Sequence, residues 1–176
     1  LLAEVGDPIL RLLGNRVYST DGDALETVIG KRLREAKATL AVAESCTGGL
    51  VAARITSIAG SSDYFVGGFL TYNGAMKTAQ LGVPAEMIAE HTAVSEPVAR
   101  AMAEGARQRA GSTWAVSVTG EAGPESSSGA DVGTLWIGIA GPFGSEAQQV
   151  KFPGDRERVR TWGAQAALNL LRLRMS

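Results

Sequence analysis

Apolar positions recur along the chain with two different spacings. Apolar residues three and four positions apart predict amphipathic helices over residues 23–36, 49–58, 96–109 and 155–174, and two shorter helices over 75–81 and 84–90. Apolar, β-branched and aromatic runs predict strands over 39–44, 64–72, 114–119, 132–140 and 146–152. In the last helix, the predicted inward-facing residues are Val159, Trp162, Ala166, Leu170 and Leu173.

Helices and strands alternate, and the order ends in a hairpin and one more helix. This order predicts a three-layer α/β/α sandwich around a mixed, mostly parallel sheet of about five strands. The pair Gly67-Gly68 inside the second strand predicts a β-bulge or close packing against another backbone. We interpret residues 23–176 as one domain and residues 1–22 as the remnant of a preceding linker domain.

Charge and composition exclude several classes of function. The formal net charge of −1 gives no broad attraction to nucleic acid, and no apolar run is long enough to span a membrane. One cysteine cannot form an internal disulfide, which fits a cytoplasmic protein. The single histidine, His91, has no neighbours with ligand spacing, so we expect a helix-end or loop residue rather than a metal site.

The segment 43–49, Ala-Glu-Ser-Cys-Thr-Gly-Gly, joins a predicted buried strand to a predicted helix. Unpaired N–H groups at a helix start favour anions, so Ser45 is a candidate nucleophile, and the N–H groups of Thr47, Gly48 and Gly49 are candidates to hold an oxyanion. The alternatives are that Ser45 is a helix cap and that Cys46 is either a rival nucleophile or a small buried apolar group.

A serine nucleophile needs a base, and with no histidine nearby a buried lysine is the next choice. Tyr72 ends the second strand and Lys77 lies in the first turns of the following helix. If that strand is parallel and adjacent to the strand before Ser45, the three side chains meet at one edge of the sheet. Taken singly, Tyr72 is more often a half-buried strand aromatic and Lys77 a solvated surface charge.

A second glycine-rich loop, 119–124, follows another predicted strand, and its residues Thr119, Gly120, Ala122 and Gly123 suit a phosphate or a ribose. Arg156, at the start of the last helix, is a candidate phosphate anchor. The alternative is that Arg156 and its basic neighbours Lys151, Arg158 and Arg160 are solvated charges beside acidic residues.

These motifs resemble, in order over residues 25–174, the CinA C-terminal domain, the nicotinamide mononucleotide deamidase family. The resemblance rests on segments 43–49, 60–62, 71–72 with Lys77, 93–98, 119–120, 122–124, 132–134 and 154–156. It implies a three-layer α/β/α domain that hydrolyses the amide of nicotinamide mononucleotide to nicotinic acid mononucleotide and ammonia, without a metal or cofactor. The serine, tyrosine and lysine of the family fall on Ser45, Tyr72 and Lys77.

The sequence departs from the family pattern in three places, one of which is Asn73-Gly74-Ala75, where a more polar helix start is usual. Glu121 stands where an apolar residue is usual, and Glu125-Ser126-Ser127 replaces a common Gly-Gly. These charges motivate an alternative, a nucleotide-binding or protein-interaction module without turnover; an amidase for another carboxamide is a third possibility. The family's competence and DNA-damage contexts add a recombination protein as the non-enzymatic partner. The apolar head, with Leu1, Leu2, Ile9 and Leu10, motivates the expectation of a homodimer.

Overall fold

A computed structural model describes the backbone of residues 2–175 and the side chains of residues 6–175. Within that range the chain forms seven α-helices: α1 (Leu2–Leu13), α2 (Leu25–Glu35), α3 (Leu50–Thr56), α4 (Gly74–Leu81), α5 (Ala85–His91), α6 (Glu96–Ala110) and α7 (Arg156–Arg174). It also forms five strands: β1 (Leu40–Glu44), β2 (Phe65–Leu70), β3 (Trp114–Gly120), β4 (Thr134–Gly141) and β5 (Gly144–Lys151).

The five strands form one mixed sheet in the order β2-β1-β3-β4-β5. Strand β1 pairs in parallel with both β2 and β3, whereas β3–β4 and β4–β5 are antiparallel. Four strands therefore point the same way, and β4 alone runs against them. This confirms the predicted fold class. It also places the carboxyl ends of β1, β2 and β3 side by side at one edge of the sheet.

Side chains alternate between the two faces of the sheet, and each face is covered by its own helices. Leu40 and Val42 of β1 belong to one apolar core, formed with α2, α3 and α7. Ala41 and Ala43 belong to the other, formed with α4 and α6. Residues 40–43 of β1 are apolar on both faces of the sheet, as expected for a strand that is buried on both faces.

The predicted irregularity in β2 is present. The register of β1 against β2 shifts between Leu40 and Ala41, whose partners are Phe65 and Gly67, so the extra residue forms a bulge. At Gly68 a Cβ atom would lie 2.4 Å from Cγ2 of Val42, so only glycine fits there without displacement of β1.

The predicted inward stripe of α7 is only partly correct. Val159 and Leu170 are buried, but Trp162 is 41% exposed, and Leu173 is half-buried. The helix instead packs through a small-residue face, where a Cβ on Gly163 would lie 2.8 Å from Leu135. Such close approach turns the bulky Trp162 outward, where its ring packs edge-on against Phe152 at 5.7 Å.

The apolar residues at the head of the chain motivated the predicted homodimer, and residues 1–22 the predicted linker remnant. Leu1 lies outside the described residues, as does the Leu2 side chain. Ile9 and Leu10 are 48% and 37% exposed. Both expectations stay predictions. Among the described residues, no helix combines the length and the apolar character needed to cross a bilayer.

Candidate active site

Ser45 follows β1 directly and is held between the two neighbouring strands. Its N–H donates to the Val118 carbonyl at 3.0 Å, and the Glu44 carbonyl accepts from Thr71 N–H at 2.8 Å. Because Ser45 continues the alternation of Ala41 and Ala43, its side chain points toward the layer that contains α4. Its hydroxyl lies 3.4 Å from the Tyr72 carbonyl oxygen, to which it donates.

Helix α4 brings Lys77 to the same point. Asn73 caps the helix, because its side chain accepts from the Met76 N–H at 2.9 Å. Helical side chains lean toward the N-terminus, so Lys77 reaches back toward the end of β2. Its Nζ lies 2.9 Å from Ser45 Oγ and 2.8 Å from the Thr71 carbonyl oxygen, and donates to both. The predicted meeting of Ser45 and Lys77 is present in the structure.

Lys77 is almost completely buried, with 1% of its surface exposed. Burial lowers the pKa of Lys77 to about 8, because the charged ammonium loses hydration that the site only partly replaces. Near neutral pH a fraction of the lysine is therefore an uncharged amine. A neutral amine at hydrogen-bond distance from a serine hydroxyl can accept its proton, which is how a serine nucleophile is activated.

Cys46, the rival nucleophile, lies beside this pair but lacks its activation. The side chain is buried, and burial raises the pKa of the Cys46 thiol to about 12. The positive charge of Lys77 opposes this shift without cancelling it. A thiol with this pKa is protonated and weakly nucleophilic. The interpretation of Cys46 as a small buried group fits this geometry.

Tyr72 lies at the mouth of the site, and its side chain is 61% exposed. Its hydroxyl accepts a hydrogen bond of 2.8 Å from Nη2 of Arg156, whereas Nη1 of that arginine donates to the Gly123 carbonyl at 2.7 Å. The phenol thus contacts Arg156 rather than Ser45 or Lys77. The sequence did not indicate this contact, which joins residues 84 positions apart.

The predicted anion site at the start of α3 is occupied by the protein itself. The buried Glu44 carboxylate accepts from the N–H groups of Gly49, Val51 and Ala52 at 3.0, 3.1 and 2.9 Å. The Gly48 N–H donates to the Ser45 carbonyl at 3.1 Å. The prediction that the N–H groups of Gly48 and Gly49 hold an oxyanion is therefore wrong, because those donors are already used.

A cavity of about 610 Å³ opens above the serine–lysine pair. Eight of the eleven predicted site residues line it: Ser45, Tyr72, Lys77, Thr119, Gly120, Ala122, Gly123 and Arg156. The other three are Thr47, Gly48 and Gly49, which lie outside its wall because the turn after Ser45 faces α7. A Cβ on Gly48, for example, would lie 3.1 Å from Arg160.

Of the four basic residues around the start of α7, Arg156 alone belongs to this cavity. Lys151 pairs with Asp131 at 2.6 Å. Arg160 donates to the Cys46 and Thr47 carbonyls at 3.1 and 3.0 Å, and thereby holds the turn after Ser45. Arg158 stacks over Trp162 at 5.6 Å. The interpretation as a phosphate anchor thus stays a prediction for Arg156, and the contacts of the other three residues do not fit it.

The cavity also has an acidic wall. Glu121, Glu125, Ser127 and Ser128 line it, and Glu121 is 5% exposed. The sequence flagged Glu121 as a departure from a pattern, but not its burial. Among the described residues, no three His, Cys, Asp or Glu side chains are grouped as metal ligands.

Fold and cavity together define a three-layer α/β/α domain with a buried serine–lysine pair at the carboxyl edge of its sheet. The chain belongs to the CinA C-terminal domain family, whose sequence model matches residues 22–175. It is 52% identical over 177 residues to a CinA-like protein of Solibacter usitatus, and 47% identical over 173 residues to one of Geotalea daltonii. These alignments cover 100% and 98% of this chain, but 42% of each relative.

Solved structures carry the same fold. A CinA superfamily protein of Klebsiella pneumoniae superimposes with a TM-score of 0.83 at 33% identity, over 86% of this chain and 95% of that chain. The competence/damage inducible protein CihA of Agrobacterium tumefaciens gives a TM-score of 0.82 at 33% identity, over 90% and 98% of the two chains. Identity above 25% over nearly whole chains supports shared ancestry as well as shared architecture.

Proposed function

We propose that this chain is an amidohydrolase that converts nicotinamide mononucleotide to nicotinic acid mononucleotide and ammonia. The observation that carries the proposal is the 2.9 Å contact between a nearly dehydrated Lys77 and the Ser45 hydroxyl. This pair supports acyl transfer as the reaction type, because a serine next to a neutral lysine can act as a nucleophile. The choice of substrate rests on the family resemblance of the motifs around the pair.

In the first half of the reaction, neutral Lys77 accepts the Ser45 proton while Oγ attacks the carboxamide carbon. The carbon becomes tetrahedral and its oxygen carries the negative charge. The ammonium of Lys77 then returns a proton to the amide nitrogen. The C–N bond breaks, ammonia leaves, and an ester joins the acyl group to Ser45.

In the second half, a water molecule takes the place of ammonia. Lys77 accepts a proton from this water as its oxygen attacks the ester carbonyl. The ester bond breaks, Ser45 regains its proton from Lys77, and the carboxylic acid leaves and gives its proton to solvent. These proposed steps need no cofactor or metal, because Lys77, whose pKa of about 8 lies near the working pH, can accept and return the proton of Ser45 and of the attacking water.

Tyr72 and Arg156 act at the open side of the cavity. The Tyr72 hydroxyl accepts from Arg156, so its own proton is free to reach the substrate and assist the leaving nitrogen. Arg156 still has unused N–H groups and a full charge, which suit the phosphate of a nucleotide. The cavity of about 610 Å³ lies within the usual range for small-molecule sites.

The test compares ammonia release from nicotinamide mononucleotide by the purified chain and by two variants, Ser45→Ala and Lys77→Met. Both variants are expected to lose activity by about a thousandfold or more while keeping the fold. The matched controls are Ser62→Ala and Lys31→Met, which change the same residue types at exposed positions. Full activity of Ser45→Ala would overturn the proposal.

Two other results would identify a different function. Binding of the nucleotide by calorimetry without ammonia release would support a binding module, the alternative that Glu121 and Glu125 in the cavity wall motivate. Faster hydrolysis of other carboxamides in a substrate panel would keep the Ser45–Lys77 mechanism and change only the substrate.

A further inference from the structure

Glu121 is a buried carboxylate in the wall of the catalytic cavity. It follows β3 directly, and its backbone is fixed by hydrogen bonds from its N–H to Thr134 and from the Gly133 N–H to its carbonyl, at 2.9 and 2.7 Å. Its side chain is held as well, because Oε1 accepts from the Ser127 hydroxyl at 3.0 Å and from the Ser128 N–H at 2.7 Å. These hydrogen bonds hold the carboxylate in one orientation.

The two oxygens of this carboxylate differ. Oε1 is saturated by Ser127 and Ser128, whereas no described residue donates a hydrogen bond to Oε2. Burial alone would raise the pKa of Glu121, but hydrogen bonds from Ser128 and Ser127 outweigh it and hold the pKa below its ordinary value. An ionised carboxylate only accepts hydrogen bonds, so whatever meets Oε2 must be a donor.

The opposite charge stands elsewhere in the same cavity. Arg156 lines it with a cation held by the Gly123 carbonyl and the Tyr72 hydroxyl. A phosphate therefore gains at Arg156 and is repelled at Glu121. The substrate that suits both walls carries an anionic group at one end and hydrogen-bond donors without negative charge at the other.

We propose that Glu121 is a specificity-determining residue whose free Oε2 accepts hydrogen bonds from substrate hydroxyls, in particular from the vicinal diol of a ribose. A carboxylate oxygen has two acceptor sites, so Oε2 alone can accept from both hydroxyls of a diol, and an acidic residue accepts from the ribose 2′-hydroxyl in dinucleotide sites. The choice of a ribonucleotide as substrate rests on the proposed function. Glu125, on the same loop and also in the cavity wall, is exposed and has no such anchor.

The experiment compares two ligands that differ only in the ribose hydroxyls. Calorimetry compares binding of nicotinamide mononucleotide and of its 2′,3′-dideoxy analogue to Ser45→Ala protein, and ammonia release compares the same pair on protein with Ser45 intact. Charged hydrogen bonds predict a preference of about tenfold or more for the hydroxylated ligand. In the Glu121→Ala variant the preference is expected to fall below about threefold.

Two further variants distinguish the proposed contact of Glu121 from a general effect of negative charge and from a loss of the fold. Glu125→Ala removes the same charge from the same loop and is expected to retain the full preference. Glu121→Gln keeps an oxygen for the Ser128 N–H but places an NH₂ group where Oε2 was, so the preference is expected to fall even if Glu121→Ala does not fold.

An unchanged preference in Glu121→Gln, or an equal gain of affinity for both ligands in Glu121→Ala, would overturn the inference and leave the proposed function intact. Absence of ammonia release with a Glu121-dependent preference in binding would overturn the proposed function and leave the inference intact.

Discussion

Nη2 of Arg156 donates to the Tyr72 hydroxyl at 2.8 Å, and this hydrogen bond joins the connection between β2 and α4 to the start of α7. The sequence predicted Tyr72 as the last residue of the second strand, which instead ends at Leu70. The same guanidinium holds the Gly123 carbonyl at 2.7 Å. Three segments that are distant in sequence thus share one cation at the mouth of the cavity. Tyr72 is exposed, but this contact gives its hydroxyl a defined position relative to Ser45.

Replacement of Tyr72 by phenylalanine tests whether this hydroxyl takes part in proton transfer. Removal of a general acid typically costs about a hundredfold or more in rate, so kcat is expected to fall by that factor with little change in KM. Steady-state ammonia release gives both constants. A kcat equal to that of the parent protein would remove Tyr72 from the mechanism and leave it as a support for Arg156.

The rate of ammonia release is expected to depend on pH through Lys77. The pKa of Lys77 is lowered to about 8, and only the neutral amine accepts the Ser45 proton. The value of kcat/KM should therefore rise about tenfold per pH unit below that pKa and level off above it. A pH-independent profile between pH 6 and 9 would contradict the assignment of Lys77 as the base.

The same pKa makes stability depend on pH in a defined direction. The folded pKa of about 8 is below the ordinary value of 10.5, so the native state binds fewer protons than the unfolded state between these values. The free energy of unfolding should rise across this window, by about 3 kcal/mol. Urea unfolding at several pH values measures the slope, and Lys77→Met, which lacks the titrating group, should lose that part of it.

Glu44 is expected to contribute strongly to stability. Glu44→Gln replaces one acceptor oxygen by an NH₂ group that faces backbone N–H donors, so at least one buried donor loses its partner. A loss of about 2 to 4 kcal/mol in the free energy of unfolding follows. The exposed Glu90 supplies the control, since Glu90→Gln should stay within about 0.5 kcal/mol. Equal midpoints in urea for the two variants would show that the Glu44 contacts contribute nothing.

The glycine at position 68 tests the packing of β2 on β1. In Gly68→Ala the added Cβ would lie 2.4 Å from Val42 Cγ2, and overpacking of this kind costs about 1 to 3 kcal/mol. Val42→Ala removes the atom in the way, so the double variant should be less destabilised than the sum of the two single variants. Additive losses in thermal or urea unfolding would show that β2 shifts to accommodate the methyl group.

The sequence predicted the relationship between Ser45 and Lys77 because it depends on regular geometry. Parallel neighbouring strands end at the same edge, and a helix that begins right after a strand returns its first turns to that edge. Both conditions can be inferred from the apolar pattern around residues 39–44 and 64–77.

The apolar pattern of the sequence indicates the position of the Glu44 side chain only through the alternation of side chains along β1. Glu44 is two residues after Val42, so strand alternation places it on the face covered by α3. That alternation could have indicated that the carboxylate fills the start of α3. The prediction for Gly48 and Gly49 was wrong because it considered the N–H groups of the helix start without the acid that precedes them.

Trp162 and Glu121 show where sequence reasoning loses information. Trp162 has the spacing of a core residue, but the rotation of α7 is set by the close approach of Gly163 to Leu135, which periodicity does not reveal. Glu121 is recognisable as an unusual charge after a strand. Its anchoring depends on the path of the loop through Ser127 and Ser128, and an irregular loop follows no sequence period.

The three N–H groups that donate to Glu44 determine when the turn after β1 becomes ordered. The turn that carries Ser45 is fastened at one end by this carboxylate and at the other by Arg160. The entropy of ordering this turn is therefore lost during folding, and under the proposed mechanism the Ser45 hydroxyl is already in place when a substrate binds. The free energy of substrate binding is then not reduced by the cost of ordering this turn.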